Sequence, residues 1–161
     1  MRRKTWDEYF VEILHSTQER ATCSRGRSAA LLVKAHHILS TGYVGSPTDV
    51  PHCDDVGHEF IDSYEKNEEG NIELRQHCVR TVHAEQNAIC QAAKFGVSVD
   101  GATLYSTMLP CYTCAKMLVN VGITRVVAEY DYQSSEQSKA LFDLVGIDYT
   151  ILEPSRSVEY S

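Results

Sequence analysis

The chain has 161 residues, of which 43% are hydrophobic and 23% are charged, as expected for one globular domain with a buried core. Its formal net charge of −7 argues against sequence-independent binding to a nucleic acid polymer, which needs a spread basic surface. No apolar run approaches the roughly 18 residues of a membrane helix, and the basic start is followed by Trp6-Asp7-Glu8-Tyr9 rather than by an apolar signal core. We therefore expect a single cytoplasmic domain over residues 1–161, with no membrane contact.

The first predicted element is a helix near the start of the chain. Thr5 followed by Glu8 fits a capping box. Apolar side chains then recur at the spacing of one helix face, at Trp6, Tyr9, Phe10, Ile13 and Leu14. The apolar run 29–33 predicts a buried strand, residues 38–41 predict its hairpin partner, and the glycine-containing stretch 42–47 predicts a loop.

Residues 48–76 are polar and acidic, with no clear periodicity. This stretch is too long for a plain connection, so it is either functional or partly mobile. We interpret it as an irregular, solvated insertion, and its cysteines and histidines leave open that a metal holds it in place.

From residue 83 onward, helical and strand-like patterns alternate. The predicted elements are helices 84–95, 112–121 and 136–145 and strands 102–107, 125–129 and 149–152. Each of these helices stops at a glycine, as a left-handed C-cap requires. The alternation implies a mainly parallel sheet covered by helices, with the first two strands paired antiparallel.

Two short motifs carry the chemistry: His83-Ala84-Glu85 and Pro110-Cys111-Tyr112-Thr113-Cys114. A Cys-x-x-Cys at a helix start places two sulfurs on one side of the first turn, where the helix dipole favours thiolates. His83, Cys111 and Cys114 would leave the fourth position of a tetrahedral zinc open for water, as catalytic zinc requires. Glu85 would lie beside the metal as a proton carrier without ligating it.

Simpler interpretations of these motifs stay open. A lone Cys-x-x-Cys is also typical of a redox pair or of half a structural zinc site, and a lone histidine is usually structural. A closed structural zinc would need a fourth cysteine or histidine beside the trio. The ordered combination of both motifs is much more specific, and it is the signature of zinc nucleobase deaminases.

The chain resembles the deoxycytidylate (dCMP) deaminases over nearly its whole length. The densest matching stretches are 77–89 and 110–116, and shorter ones are 6–10, 22–25, 42–47, 52–54, 101–105, 122–123 and 131–132. The resemblance implies the cytidine-deaminase fold, a three-layer α/β/α arrangement in which helices flank a mixed five-stranded sheet. It also implies a homohexamer in which neighbouring chains complete each pocket.

The same resemblance implies zinc-dependent hydrolysis of dCMP to dUMP and ammonia, which supplies dUMP for thymidylate synthesis. Zinc activates the water that attacks C4 of cytosine, while Glu85 protonates N3 and then the departing amine. The alternatives are a deaminase of another substrate, such as dCTP or a base in tRNA, and a zinc-stabilised interaction module without turnover. The acidic charge disfavours tRNA, and a structural zinc has no need of Glu85.

Four positions are candidate substrate contacts by this resemblance: Arg25, Val44, Ala84 and Tyr132. Arg25 suits a phosphate, and Tyr132 could stack on the pyrimidine, although a surface arginine and an exposed or subunit-contacting tyrosine are the simpler interpretations. Val44 stands where the family loop usually reads Gly-Tyr-Asn-Gly, so an amide donor and acceptor are missing. In many members this loop belongs to a site where dCTP activates and dTTP inhibits, with Mg²⁺ accompanying the nucleotide. Val44 therefore predicts altered substrate choice or altered regulation.

The remaining sulfurs form a second group outside the catalytic trio. Some relatives carry a structural zinc in this region, and its expected ligands here are Cys23, Cys53, Cys78 and either His58 or His77. Free thiols and surface histidines are the alternative. Cys90 lies two turns into the helix after Glu85, and we expect it to pack in the core.

Overall fold

A computed structural model describes residues 1–66 and 69–158. The elements formed by these residues are α1 (Trp6–Gln18), β1 (Ala29–Lys34), β2 (His37–Tyr43), α2 (Cys53–Val56), β3 (Phe60–Lys66), β4 (Ile72–Cys78), α3 (Ala84–Phe95), β5 (Thr103–Met108), α4 (Tyr112–Asn120), β6 (Arg125–Tyr132), α5 (Glu136–Val145) and β7 (Asp148–Val158). Among the described residues, no helix is both long and apolar enough to cross a bilayer.

Five strands form one mixed sheet in the order β2-β1-β5-β6-β7. β1 runs antiparallel to both β2 and β5, whereas β5, β6 and β7 run parallel to one another. The mixed five-stranded sheet with an antiparallel first pair is confirmed, and β1 runs opposite to the other four strands. Because of these directions, the carboxyl ends of β2, β5 and β6 and the amino end of β1 meet at one edge of the sheet.

Helices cover both faces of this sheet, which confirms the three-layer arrangement. On one face α1 buries Phe10 and Leu14 against Leu31, Tyr105 and Val127. On the other face α3, α4 and α5 pack on the sheet through a separate apolar cluster, whose helical members include Ala84, Ala88, Ala92, Ala115, Leu118 and Phe142. Small alanines on α3 let that helix lie close to the strands.

The first helix forms as predicted and is fixed to the sheet by polar contacts. The Thr5–Glu8 capping box is present at its start. Asp7 accepts hydrogen bonds from the Arg125 guanidinium at 2.8 and 3.0 Å and from the Tyr105 hydroxyl at 2.6 Å. Arg125 begins β6 and Tyr105 lies on β5, so Asp7 joins α1 to two central strands.

The prediction of an irregular insertion over 48–76 is wrong. Its second half pairs β3 with β4 in an antiparallel register from Phe60 opposite Cys78 to Lys66 opposite Ile72. The two strands form a small sheet of their own, separate from the five-stranded one. Apolar and polar residues alike remain largely exposed on this hairpin, so the sequence lacks the alternation that marks a half-buried strand.

The prediction that Cys90 packs in the core is also wrong, because the residue is exposed. The side of α3 that faces the sheet carries Ala84, Ala88 and Ala92, which follow one another at intervals of four. A residue two positions after Ala88 lies on the far side of the helix.

Two turns of the chain differ from expectation around β2. The β1–β2 turn is tighter than the predicted 34–37, since Ala35 and His36 form it with φ of 49° and 64°. Gly42, predicted to start a loop, lies inside β2. A Cβ at Gly42 would lie 2.2 Å from the Ala84 carbonyl oxygen and 2.4 Å from the Ala88 amide nitrogen, so only glycine fits where β2 meets α3.

Candidate active site

A pocket of about 110 Å³ opens at the sheet edge where β1 begins and β5 and β6 end. Side chains that follow parallel strands at their carboxyl ends commonly build such sites. The segments that line it are the α1–β1 connection, the end of β2, the end of β4, the start of α3 and the residues after β5 and β6. Its lining residues include Arg25, Val44, Gln76, His77, His83, Glu85, Cys111 and Tyr132.

Beside this pocket, which His83 and Cys111 line, the structure brings together the predicted metal trio. His83 immediately precedes α3, Cys111 caps the start of α4, and Cys114 lies in the first turn of α4. Nδ1 of His83 is 3.5 Å from each of the two sulfurs. All three ligand atoms lie within 4.8 Å of one another, as one metal ion requires.

The electrostatics of the trio suit a soft divalent cation. A hydrogen bond from Cys114 is the largest influence that lowers the pKa of Cys111, to about 4. The pKa of Cys114 is raised in turn, chiefly because its thiol is the donor of that hydrogen bond. The hydrogen bond to Cys111 raises the pKa of His83 to about 9. Two cysteine sulfurs and one imidazole nitrogen are a donor set that zinc prefers, so these residues fit the predicted metal.

Glu85 also lines this pocket without joining the cluster of ligand atoms. Burial raises the pKa of its carboxyl, whereas the nearby His83 lowers it and Cys111 raises it. A carboxyl whose proton affinity is lifted in this way is suited to carry protons near neutral pH. The pocket therefore brings together three side chains that could hold one metal ion and a buried carboxyl beside them, and the proton-carrying role of Glu85 stays a prediction.

A second cluster gathers the other predicted sulfurs, and two of its members, Cys23 and Cys78, also line the pocket. Ligand atoms of Cys23, Cys53, His58 and Cys78 all lie within 4.8 Å of one another. The Cys23 sulfur is 3.6 Å from Nδ1 of His58, and the sulfurs of Cys53 and Cys78 are 3.6 Å apart.

The pKa values of two of these thiols move apart. Burial raises the pKa of Cys53 to about 12. Burial also acts to raise the pKa of Cys78, but backbone hydrogen bonds from Glu59 and Arg80 outweigh it and lower that pKa to about 7. Three sulfurs and one imidazole are a set that tetrahedral zinc accepts.

Of the two histidines predicted as alternatives for this cluster, His58 is the one that reaches it. His77 lies outside the cluster, so of the two alternatives the structure favours the one with His58. Its Nε2 instead lies 2.9 Å from the Ser63 hydroxyl oxygen and 3.0 Å from the Glu65 carboxylate. The β3–β4 pairing places Ser63 and Glu65 on the neighbouring strand, within reach of that ring.

The predicted substrate contacts divide into two groups. Arg25, Val44 and Tyr132 line the pocket. The Ala84 side chain is 1% exposed and packs in the core beneath α3, so its side chain is not part of the pocket wall. Sequence reasoning missed the wall residues Ser28, Gln76, Thr81, Met108 and Leu109. The sequence feature that could have pointed to them is their position at the ends of strands and next to the two motifs.

Comparisons with known proteins agree with this geometry. Residues 4–130 match the family model described as the cytidine and deoxycytidylate deaminase zinc-binding region. ComE operon protein 2 of Bacillus subtilis (strain 168) is 37% identical over 147 residues, which cover 91% of this chain and 71% of that protein. The deoxycytidylate deaminase of Mycobacterium phage D29 is 34% identical over 127 residues, 79% of this chain and 96% of that one.

Two further comparisons bear on length and fold. The deoxycytidylate deaminase of Saccharomyces cerevisiae is 30% identical over 90% of this chain, which spans only 44% of the yeast protein. The crystal structure of dCMP deaminase from the cyanophage S-TIM5 in complex with dCMP and dUMP superposes with a TM-score of 0.71 at 23% identity, covering 94% of this chain and 99% of that one. That likeness confirms the predicted fold.

Proposed function

The chain belongs to the cytidine and deoxycytidylate deaminase family, and from this premise we propose that it hydrolyses dCMP to dUMP and ammonia. The observation that carries the proposal is the three-ligand cluster of His83, Cys111 and Cys114 beside Glu85 in one pocket. The names of the phage D29 and yeast relatives support dCMP as the substrate. The product would supply thymidylate synthesis with dUMP.

Glu85 transfers the protons in this reaction. Zinc held by the trio would lower the pKa of water to about 7, which provides an attacking oxygen at neutral pH. Glu85 takes the proton from that water as the oxygen bonds to C4 of cytosine, and delivers it to N3. It then takes the remaining proton from the oxygen bonded to C4 and delivers it to the exocyclic amine. The C4–N bond breaks as that oxygen becomes the C4 carbonyl of uracil, and ammonia leaves with Glu85 again ionised.

Arg25 and Tyr132 are the residues we assign to holding the nucleotide. The Arg25 guanidinium lies 4.7 Å from the centre of the Phe60 ring and donates a hydrogen bond to the Gln76 carbonyl oxygen. These contacts hold a planar cation at the outer part of the pocket, where it suits a phosphate. Tyr132 ends β6, and its ring would stack on the pyrimidine.

Absorbance assays with dCMP, dCTP, deoxycytidine and CMP test the proposed activity. We expect dCMP to be the best substrate, and Glu85→Gln, which keeps the shape of the side chain, to retain zinc but lose at least about a hundredfold in kcat. Glu85→Ala should behave alike. Substantial turnover in either variant would refute the role of Glu85. A preference for dCTP would mean that dCTP, rather than dCMP, is the substrate. Absence of turnover on all four compounds would favour a non-catalytic zinc module.

The second cluster supports a structural role for a second metal. We assign Cys23, Cys53, His58 and Cys78 as its four protein ligands, which leave no corner for substrate. They come from the α1–β1 connection, from α2, from the loop after it and from the end of β4. A metal there would hold the stretch 48–76 against the rest of the chain.

The proposal also covers the extent of the domain, the assembly of the chains and their regulation by nucleotides. Residues 1–161 would form one deaminase domain, which the inclusion of both β1 and β7 in a single sheet supports. Six chains would assemble in the cytoplasm, with dCTP and dTTP as opposing effectors and Mg²⁺ accompanying the bound effector. A monomer in light scattering would contradict the hexamer. Reaction rates that change with neither dCTP nor dTTP would contradict the proposed regulation.

A further inference from the structure

Tyr132 reaches the active-site pocket from the end of a central strand. It is the last residue of β6 and lines the pocket, where we assign its ring to the pyrimidine. The pairing of β6 with β7 is regular up to Tyr130 and then changes register between Tyr130 and Asp131. An irregularity of this kind changes the direction of the strand and of its side chains. The pairing of the sheet therefore does not by itself fix where the Tyr132 ring points.

The carboxylate of Asp131 fixes the backbone at this point. Its Oδ1 accepts hydrogen bonds from the Tyr132 backbone amide at 2.8 Å and from the Ser135 hydroxyl at 2.7 Å. Its Oδ2 accepts a hydrogen bond from Lys139 Nζ at 2.8 Å. The side chains of Asp131 and Lys139 are only 22% and 21% exposed, so water competes weakly for these contacts. One carboxylate thus joins the end of β6 to the turn after it and to α5.

The backbone of Tyr132 is held on its other side as well. Its carbonyl oxygen accepts a hydrogen bond from the Ser135 amide at 3.0 Å, which closes the turn that leads into α5. Burial acts to raise the pKa of Asp131, but hydrogen bonds, chiefly from Lys139 and Ser135, outweigh it and lower that pKa. The carboxylate is therefore ionised at neutral pH, and hydrogen bonds to an ionised acceptor are roughly twice as strong as those between neutral groups.

Asp131 can act on the reaction only through its neighbour. Of the described residues, Tyr132 lines the pocket and Asp131 does not. An aromatic ring that stacks on a base stabilises the bound nucleotide, and a displacement of about 1 Å can remove much of the benefit of such a contact. A carboxylate that holds the amide of Tyr132 limits that displacement.

We propose, on the basis of the nucleotide deaminase function above, that Asp131 is a positioning residue for substrate binding, whose hydrogen bond to the Tyr132 amide holds the Tyr132 ring against the cytosine. Lys139 and Ser135 keep the carboxylate in place. The Asp131 side chain itself does not touch the nucleotide. Removing the carboxylate should therefore weaken binding only as long as the Tyr132 ring is present.

A double-mutant cycle between Asp131 and Tyr132, measured by steady-state kinetics with dCMP, tests this coupling. For Asp131→Ala we expect KM to rise about tenfold, within the range of one base–aromatic stack, with kcat within about threefold. With Tyr132→Ala already in place, the same change should alter KM less than about twofold. Asp131→Asn, which keeps an oxygen for the Tyr132 amide, should recover most of the loss. Glu136→Gln, which removes an 87% exposed carboxylate 3.2 Å from Lys139, is the matched control and should change nothing.

An equal loss with and without the Tyr132 ring would overturn the proposal, because it would show a general structural role for Asp131. An Asp131→Asn variant as impaired as Asp131→Ala would also overturn it, since the charge rather than the hydrogen bond to the Tyr132 amide would then be responsible. If Asp131→Ala does not fold, Asp131→Ala combined with Lys139→Met takes its place in the same cycle, because that pair leaves no unpaired ammonium.

Calorimetry with dUMP, the product, separates this inference from failure of the proposed reaction. Weaker dUMP binding by Asp131→Ala that disappears when Tyr132→Ala is present supports the positioning role even if the wild type is inactive on dCMP. Unchanged dUMP binding by Asp131→Ala, or by Tyr132→Ala alone, refutes that role even in an active enzyme. Absence of dCMP turnover by the wild type refutes the proposed function alone.

Discussion

Val44 occupies the pocket with its backbone fixed on both sides. Its amide donates to the Ser28 carbonyl oxygen at 3.0 Å, and its carbonyl oxygen accepts from the Thr22 amide at 3.1 Å. A different side chain at this position would therefore contact the substrate without displacing the backbone of residue 44. For Val44→Asn we expect KM for dCMP to fall about fivefold, as one added hydrogen bond allows, or the response to dCTP and dTTP to change.

The control for this residue is Val44→Ala, which removes apolar contact without adding an amide. Zinc content should stay unchanged in both variants, because Val44 ligates nothing. Kinetics and regulation of Val44→Asn that match the wild type would remove the idea that this position sets substrate choice.

At this scale, local spacing decided how much of the site was predictable. His83 and Glu85, like Cys111 and Cys114, are neighbours on one helix start, so sequence alone brings each pair together. The choice between His58 and His77 was not predictable, because it depends on how a hairpin register turns one ring toward the sulfurs and the other toward Glu65.

The ion pair between Asp7 and Arg125, which fixes α1 to the sheet, predicts how the stability of the fold depends on pH. The hydrogen bond from Arg125 is the largest cause that lowers the pKa of Asp7. Because the folded pKa lies below the unfolded value, ionised Asp7 stabilises the fold above about pH 4, and the gain is lost as pH falls through the folded pKa. Both side chains are about one-third exposed, so screening limits the effect to about 1 kcal/mol.

Urea unfolding of Asp7→Asn measures that contribution. At pH 7 the variant should lose about 1 kcal/mol of unfolding free energy, and the difference should shrink as pH falls below about 4 and through the lowered folded pKa of Asp7. Asp143→Asn, an exposed carboxylate on α5, should match the wild type throughout. A deficit for Asp7→Asn that persists at low pH would mean that packing, rather than charge, is lost.

Elements with strong periodicity or clear caps were predictable, and those without were not. α3 and α5 lie where the pattern placed them, ending at Gly96 and Gly146 in the left-handed conformation. The β3–β4 hairpin was missed because both of its faces carry polar side chains and most of its apolar ones stay exposed. Such a hairpin is too small to be stable alone, and cross-strand pairs and a metal are not visible in hydrophobic periodicity.

For the whole molecule, the two clusters predict two zinc ions per chain. Cys53→Ser should retain one zinc and lower Tm by at least about 5 °C, because metal binding free energy contributes directly to folding. Cys90→Ser is the matched control, since Cys90 is an exposed cysteine outside both clusters, and it should keep both ions. Metal analysis of the wild type that gave one zinc per chain would defeat the second site.

The arrangement of the sheet shows where prediction from pattern ends. Alternating strands and helices predicted the layers, and the family resemblance added a mixed sheet. Alternation did not predict the antiparallel pairing of β5 with β1, because it does not tell which earlier strand β5 lies beside. The long connection from β2 to β5 carries α3 across the sheet, and β5 joins β1 antiparallel.

Because β2 packs closely against α3 at Gly42, a change in this outermost strand can displace the catalytic residues at the start of α3. A single methyl group there has to push the first turns of α3 aside by roughly 1 Å, a displacement that can reduce turnover about a hundredfold. His83 and Glu85 stand at the head of that helix. An inactivating change would thus arise at a residue that does not line the active-site pocket. Measuring zinc content together with kcat for Gly42→Ala would tell whether the metal was lost or Glu85 was displaced.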